Sequence, residues 1–172
     1  VLGHLPGIPQ PTQKHFDTLV WSALRHFDPT RPVFVESESK KVGNLRVPDA
    51  LMDAMRASHC IDLQLPIEAR VALLLEDYAY LQTDPAYFCH RLHALTELKG
   101  KTVVNAWVQQ VENGQFADVF RDLLVMHYDP VYAASIARNF KRYPEASTHE
   151  LPDHSPQAFA RLAEELLAGG PK

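Results

Sequence analysis

Residues 32–43 run Pro32-Val33-Phe34-Val35-Glu36-Ser37-Glu38-Ser39-Lys40-Lys41-Val42-Gly43. The first four are apolar and rich in β-branched and aromatic types, the composition of a short strand buried on both faces. The next six are all polar or charged, which predicts a loop leaving the carboxyl end of that strand. Pro48 then opens a helix carrying Leu51, Met52 and Met55, and Cys60 to Leu65 is a second strand. Strand, loop, helix and strand in this order predict a βαβ unit with parallel strands and a right-handed crossover.

Upstream, three prolines and two glycines in the first eleven residues predict an extended loop, closed by Thr12 as the cap of a helix to about Phe27. Phe16, Leu19, Val20, Leu24 and Phe27 recur at helical spacing, so one face of that helix requires cover. Downstream of Pro66 the pattern is helical. Val71, Leu74, Leu75, Tyr78 and Leu81 form one stripe, and Asp84-Pro85 caps a helix with Phe88, Leu92 and Leu95. Val104, Trp107, Val108 and Val111 mark the next, and Phe116, Val119, Phe120, Leu123 and Leu124 another. Asp129-Pro130 starts one more, with Val131, Ile136 and Phe140 inward. Residues 144–156, with three prolines, have a linker's composition, and Ser155-Pro156 caps a terminal amphipathic helix with Phe159, Leu162, Leu166 and Leu167 on one face. The expected fold class is therefore α/β, a partial parallel sheet of few strands followed by a mostly helical C-terminal half. Residues 1–65 are expected as the α/β part, 66–143 as its helical extension, and 144–172 as a linker and terminal helix.

Composition bounds the partners. The 172 residues carry 17 Lys+Arg against 21 Asp+Glu, a net charge of -4, so no global basic field advertises nucleic acid. Five acids and two bases lie from Glu145 onward, which leaves the first 144 residues near neutral. The two cysteines, Cys60 and Cys89, lie in apolar-periodic segments and predict core thiols in a reducing, cytoplasmic setting. The longest apolar run, Val71 to Leu75, is far short of a bilayer span, so no membrane partner is expected. The chain opens on Val1, and two parallel strands are too few for a stable sheet. Both observations suggest a piece of a larger domain.

In open α/β sheets ligands bind beside the carboxyl ends of strands. There the loop supplies Glu36, Glu38, Ser39 and Lys40, carboxylates suited to a metal or a nucleophile, with a hydroxyl and an ammonium suited to phosphate oxygens. A solvated charged loop is the alternative. Arg70, just after the second strand, is placed to reach the same crevice, or is a surface residue. Cys89 and His93 share a helical face at i, i+4 without two further ligands, so no metal site is expected. Arg138, Lys141 and Arg142 fall in the last turns of their helix, where cations are favourable, and with Lys99 and Lys101 offer an RNA-contacting strip. No Gly-x-x-x-x-Gly-Lys-[Ser/Thr] phosphate loop occurs.

Gln10-Pro11-Thr12-Gln13-Lys14-x-Phe16, the Val35 to Gly43 loop with Val47-Pro48 after it, Arg70, and Tyr128-Asp129-Pro130-Val131-Tyr132 together resemble the tRNA 2-selenouridine synthase family. The resemblance runs from Val1 to about Arg142. It implies a two-part enzyme, a rhodanese-like domain with a reactive cysteine and then a P-loop domain, of which this chain would be the later portion, residues 1–65 carrying a partial P-loop-type parallel sheet and 66–143 its helical extension. The Walker A loop and rhodanese domain would then be partners in the same protein. The implied activity is modification of the tRNA wobble uridine: geranylation of 2-thiouridine from geranyl diphosphate, then selenation from selenophosphate. These are co-substrates of the whole protein; no cofactor is assigned to this chain and a Mg²⁺ requirement is left open. By position, the resemblance puts Glu36 and Glu38 in a catalytic role. It makes Gln10, Gln13, Ser39, Lys40 and Arg70 substrate-binding; for Asp129, as a helix cap, and Tyr132, as a packing residue, the residues' own reading gives structural roles instead. The residues also suit a nucleotide-dependent kinase or ATPase of the P-loop class. A third option is a non-catalytic helical module for RNA or protein.

Overall fold

A computed structural model describes residues 9–37 and 40–169. The opening loop expected over the first eight residues, and Glu38 and Ser39 of the acidic loop, lie outside the described residues. The described residues fall into two compact units. One holds residues 63–135 and 148–163, and the other holds the described residues between 9 and 62 together with 136–147 and 164–169.

The helical unit is α3 (Ile67–Asp77), α4 (Ala79–Thr83), α5 (Pro85–His93), α6 (Thr96–Lys99), α7 (Lys101–Glu112) and α8 (Phe116–Leu123). Its boundaries follow the punctuation of the sequence. Asp84 accepts a hydrogen bond from the Tyr87 N–H at 2.9 Å and so caps α5, with Pro85 in the first turn. Gly100 and Gly114 adopt positive φ, at 83° and 76°, on either side of α7, a backbone state that excludes most other residues. The apolar stripes meet in one core of Leu81, Phe88, Leu92, Val104, Trp107, Val111, Val119, Phe120 and Leu123, with Val71, Leu95 and Leu124 at its margin. The Phe88 and Phe120 rings stack at 5.4 Å between centroids. Trp107 is buried, and its indole N–H donates to Asp122 at 3.1 Å, so the one polar atom it brings into the core is satisfied.

The helix after α8 does not start afresh at Asp129-Pro130. A π-helical turn, Leu124–Tyr128, leads directly into α9 (Asp129–Asn139), and the Asp129 N–H donates five residues back to the Leu124 carbonyl. A π turn holds one residue more than an α turn and so rotates all that follows it. The Val131 side chain is accordingly exposed rather than inward, whereas Phe140, just beyond α9, is buried as expected.

In the second unit, α1 (Gln13–Arg25) begins at Thr12, whose hydroxyl accepts from the His15 N–H at 3.3 Å. A two-residue hairpin follows, β1 (Lys41–Val42) against β2 (Leu45–Arg46), then α2 (Asp49–Ala57). Residues 32–36, expected as the first strand, are irregular and exposed; among the described residues no strand lies beside them to cover their side chains. The parallel pairing exists but with another partner. β3 (Ile61–Gln64) lies beside β4 (Ser147–Glu150), within the stretch whose prolines suggested a linker. The Ser147 N–H donates to the Cys60 carbonyl at 3.2 Å and the Leu151 N–H to that of Gln64 at 2.8 Å, four residues on along both strands. A short 3₁₀ turn (Tyr143–Glu145) precedes β4, and α10 (Pro156–Gly169) follows it, with Ser155 accepting from the Ala158 N–H at 3.2 Å. Leu162 of α10 is buried; Phe159 and Leu167 are not. The α/β class with a helical C-terminal half therefore holds: β3 forms where the second strand is expected, but its partner is β4 and not residues 32–36.

Truncating Phe120 to Ala removes a ring that touches both Phe88 and Tyr78. The expected cost is about 3–5 kcal/mol of unfolding free energy, read from the urea midpoint of the chain.

Candidate functional site

The two strings on which the family resemblance rests most, thirty residues apart in sequence, meet in one hydrogen-bonded unit. The side-chain amide of Gln10 donates to the Val42 carbonyl at 3.0 Å and accepts from the Asn44 N–H at 2.8 Å. That of Gln13 donates to the Arg46 carbonyl at 2.8 Å and accepts from the Arg46 N–H at 2.9 Å. Each glutamine amide thus pairs with the hairpin as a neighbouring strand's peptide group would, using one donor and one acceptor. Gln13 also donates to Asp17 at 2.8 Å, one turn along α1.

The hairpin is shaped to receive them. Lys41 pairs with Arg46 and Val42 with Leu45, leaving Gly43-Asn44 as a two-residue turn. Gly43 has φ 61° while Asn44, like every non-glycine residue described, keeps a negative φ, the pattern of a type II′ turn with glycine first. The positive φ strains any side chain at Gly43, and a Cβ there would lie 2.7 Å from Cδ of Gln10, so it would also push the Gln10 amide off the hairpin. The Gly-Asn dipeptide between Val42 and Leu45 is the sequence signal for this hairpin, and the charged run before it hides that signal inside what reads as one long loop.

At the base of the hairpin the Lys40 ammonium pairs with the Asp49 carboxylate in the first turn of α2. The Val47 N–H closes the same junction by donating to the Lys40 carbonyl at 2.8 Å. The Lys40 hydrogen bond and charge hold the Asp49 carboxyl below the usual aspartate range. Glu36 is exposed on the irregular segment leading to this loop. Between α1 and α2 lies an apolar groove of about 380 Å³, lined by Val20, Trp21, Leu24, Pro48, Leu51 and Ala54, with Asp17 at its edge. The α1 stripe was recognisable in the sequence, but not that α2 would form the other wall.

Arg70, on α3 in the helical unit, is gripped by Asp129. Its two terminal nitrogens meet the two carboxylate oxygens, Nη1 to Oδ2 at 3.0 Å. Asp129 is therefore not a helix cap; the π turn carries its backbone through and leaves its carboxylate for Arg70. The Lys99 ammonium donates to the Met126 carbonyl inside that turn. His127 is pushed below the ordinary histidine range by burial and then by the Lys99 charge. Arg138 is exposed in the last turn of α9, but the helix ends at Asn139, so Lys141, exposed, and Arg142, which pairs with Glu145 at 3.3 Å, lie in the turn beyond it and not in its last turns. Both thiols are free and half-buried, and burial pushes Cys60 and Cys89 upward, away from nucleophilic thiolate character. Among the described residues no cluster of three or more metal-ligating side chains occurs, and no helix is long and apolar enough to cross a membrane.

These features define an α/β domain portion with a glutamine-clamped polar loop and a helical C-terminal half. Residues 1–98 match the family model described as the tRNA 2-selenouridine synthase AAA domain, and the chain belongs to that family. It is similar to the tRNA 2-selenouridine synthase of Hydrogenovibrio crunogenus, 27% identical over 151 residues, which cover 76% of this chain and 41% of that protein. The corresponding protein of Shewanella halifaxensis is 24% identical over 170 residues, covering 83% and 47%. That of Alcanivorax borkumensis is 36% identical over 90 residues, covering 50% and 25%. The chain thus spans less than half the length of these relatives. No solved structure matches it at comparable significance.

Because the Asp49 pKa is depressed in the folded state, the Lys40–Asp49 pair contributes stability above the ordinary aspartate pKa. That contribution is lost as pH falls through the folded value. An NMR titration is expected to place the Asp49 carboxyl below 3.8 and to return it toward that value in Lys40→Met. Replacing Gln13 with Ala leaves the Arg46 N–H without its side-chain partner; amide exchange at Arg46 is expected to accelerate about 5-fold or more, with the helical core unaffected.

Proposed function

We propose that the intact protein is a tRNA wobble-uridine transferase that geranylates 2-thiouridine from geranyl diphosphate and then exchanges the S-geranyl group for selenium from selenophosphate. The observation that carries this reading is the clamp itself: Gln10 and Gln13 bind the hairpin that follows the acidic loop, so the family's two most specific strings form one physical object. In this reading Glu36 and Glu38 act at the reacting or metal end. Ser39 and Lys40 meet phosphate oxygens, with Asp49 holding Lys40 until an anion competes for it. Gln10 and Gln13, whose amides are spent on the hairpin backbone, position the loop. Arg70 keeps its remaining N–H groups for diphosphate charge while Asp129 fixes its plane. Arg138 and Lys141 contact tRNA phosphates. The rhodanese cysteine and the Walker A loop are supplied by the rest of the protein, which acts in the cytoplasm.

In the intact protein, Glu36→Ala and Lys40→Ala are each expected to lower kcat/KM for geranyl transfer about 100-fold, the size typical of losing one group that stabilises transition-state charge. A normal rate in both removes the site assignment. Reversing Arg138 and Lys141 to Glu is expected to weaken tRNA binding and to flatten the slope of log K on log salt by about 0.7–0.9 for each phosphate no longer neutralised.

A further inference from the structure

Pro130 leaves a carbonyl without its helical donor, and another helix supplies one. Because the π turn runs directly into α9, Pro130 lies inside a continuous helix and not in a free first turn. In an α-helix the Met126 carbonyl would accept from the N–H of residue 130; proline has none, and its ring crowds that same carbonyl. The Met126 carbonyl accepts from the ammonium of Lys99, at the end of α6. Sequence alone puts Lys99 in an RNA-contacting strip, whereas its charged end is turned onto this backbone. What the turn presents is Asp129. Its N–H reaches five residues back to Leu124, and its carboxylate meets both terminal nitrogens of Arg70. Lys99, the π turn, Asp129 and Arg70 all lie within the helical unit and form one chain of contacts. A π turn is a strained insertion that recurs at functional sites, so a cation spent on holding one points to what the turn carries.

We propose, on the reading that Arg70 meets the diphosphate, that Lys99 is a positioning residue for that contact: its ammonium stands in for the N–H that Pro130 lacks and holds the turn that aims Asp129 at Arg70. Lys99 touches neither Arg70 nor the anion in this arrangement. Its effect passes through the Met126 carbonyl and the register of the turn to the Asp129 carboxylate, which fixes the guanidinium plane and so the direction of its remaining N–H donors. Without Lys99 the Met126 carbonyl loses that donor, and the turn no longer holds one register. Arg70 then keeps its charge but not its aim.

A double-mutant cycle on the intact protein tests it, with inorganic pyrophosphate as the calorimetric probe. Arg70→Met is expected to weaken binding about 10-fold. Lys99→Met is expected to weaken it about 5-fold, with Lys99→Arg, which keeps a charged donor, close to wild type. In the Arg70→Met background, Lys99→Met is expected to add no further loss, because it acts through the guanidinium. In geranyl transfer the Lys99→Met loss is expected in KM for geranyl diphosphate rather than in kcat. Amides of α7 and α8 are expected to exchange as in wild type in every variant, which separates the loss from unfolding. Losses that add in the double variant assign Lys99 to the anion itself and overturn the proposal. A flattened salt slope of tRNA binding in Lys99→Met, with pyrophosphate affinity intact, assigns it to RNA and overturns it too. Unchanged pyrophosphate affinity in Lys99→Met beside a loss in Arg70→Met overturns this inference alone. Unchanged affinity in Arg70→Met removes Arg70 from the diphosphate site and takes the inference with it.

Discussion

Two primary amides tie the start of α1 and the residues before it to the β1–β2 hairpin. A glutamine side chain ends in the same planar donor and acceptor pair as a peptide bond, so Gln10 and Gln13 substitute for a third strand beside a hairpin too short to stand alone. Every other feature of the loop hangs from that substitution. It dictates glycine at position 43, fixes the register of Lys41 against Arg46, and sets Lys40 at the start of α2 where Asp49 meets it. Gln13 ties the same arrangement to the first turns of α1 through Asp17. A recognition string that reads as a ligand-binding signature is, in its observed contacts, the brace of a neighbouring loop.

The helical half was legible because its determinants are local. Caps such as Asp84 and Ser155, the positive-φ glycines at 100 and 114, and stripes such as Val104-Trp107-Val111 specify helices and their buried faces without reference to the rest of the chain. Strand identity is not local. Val33-Phe34-Val35 has better strand composition than Ser147-Thr148-His149-Glu150, yet the latter pairs with β3, because pairing depends on what the chain brings alongside. The expected sheet paired two strands adjacent in sequence, whereas the observed one joins segments more than eighty residues apart.

The candidate site shows the same division. Lys40 and Arg70 were identifiable as charged groups at strand and helix ends, but their partners, Asp49 and Asp129, were not readable as such, since an ion pair is a statement about distance. Asp129 was obscured further by its proline: Asp-Pro is a common helix start, and only the π turn before it shows that the helix has already begun.

The π turn limits how this stretch of chain can change. Its extra residue sets the azimuth of Asp129 relative to α8, so the grip on Arg70 depends on the count of residues between Leu123 and Asp129 as much as on their identities. Were the same five residues wound at the ordinary α repeat, the carboxylate would point about 100° away; the wide π turn absorbs that residue. Val125 is exposed and its side chain is not held in the core, whereas a change that forced this stretch back to the α repeat at its present length would undo the ion pair. The segment works as a spacer, specified by its length.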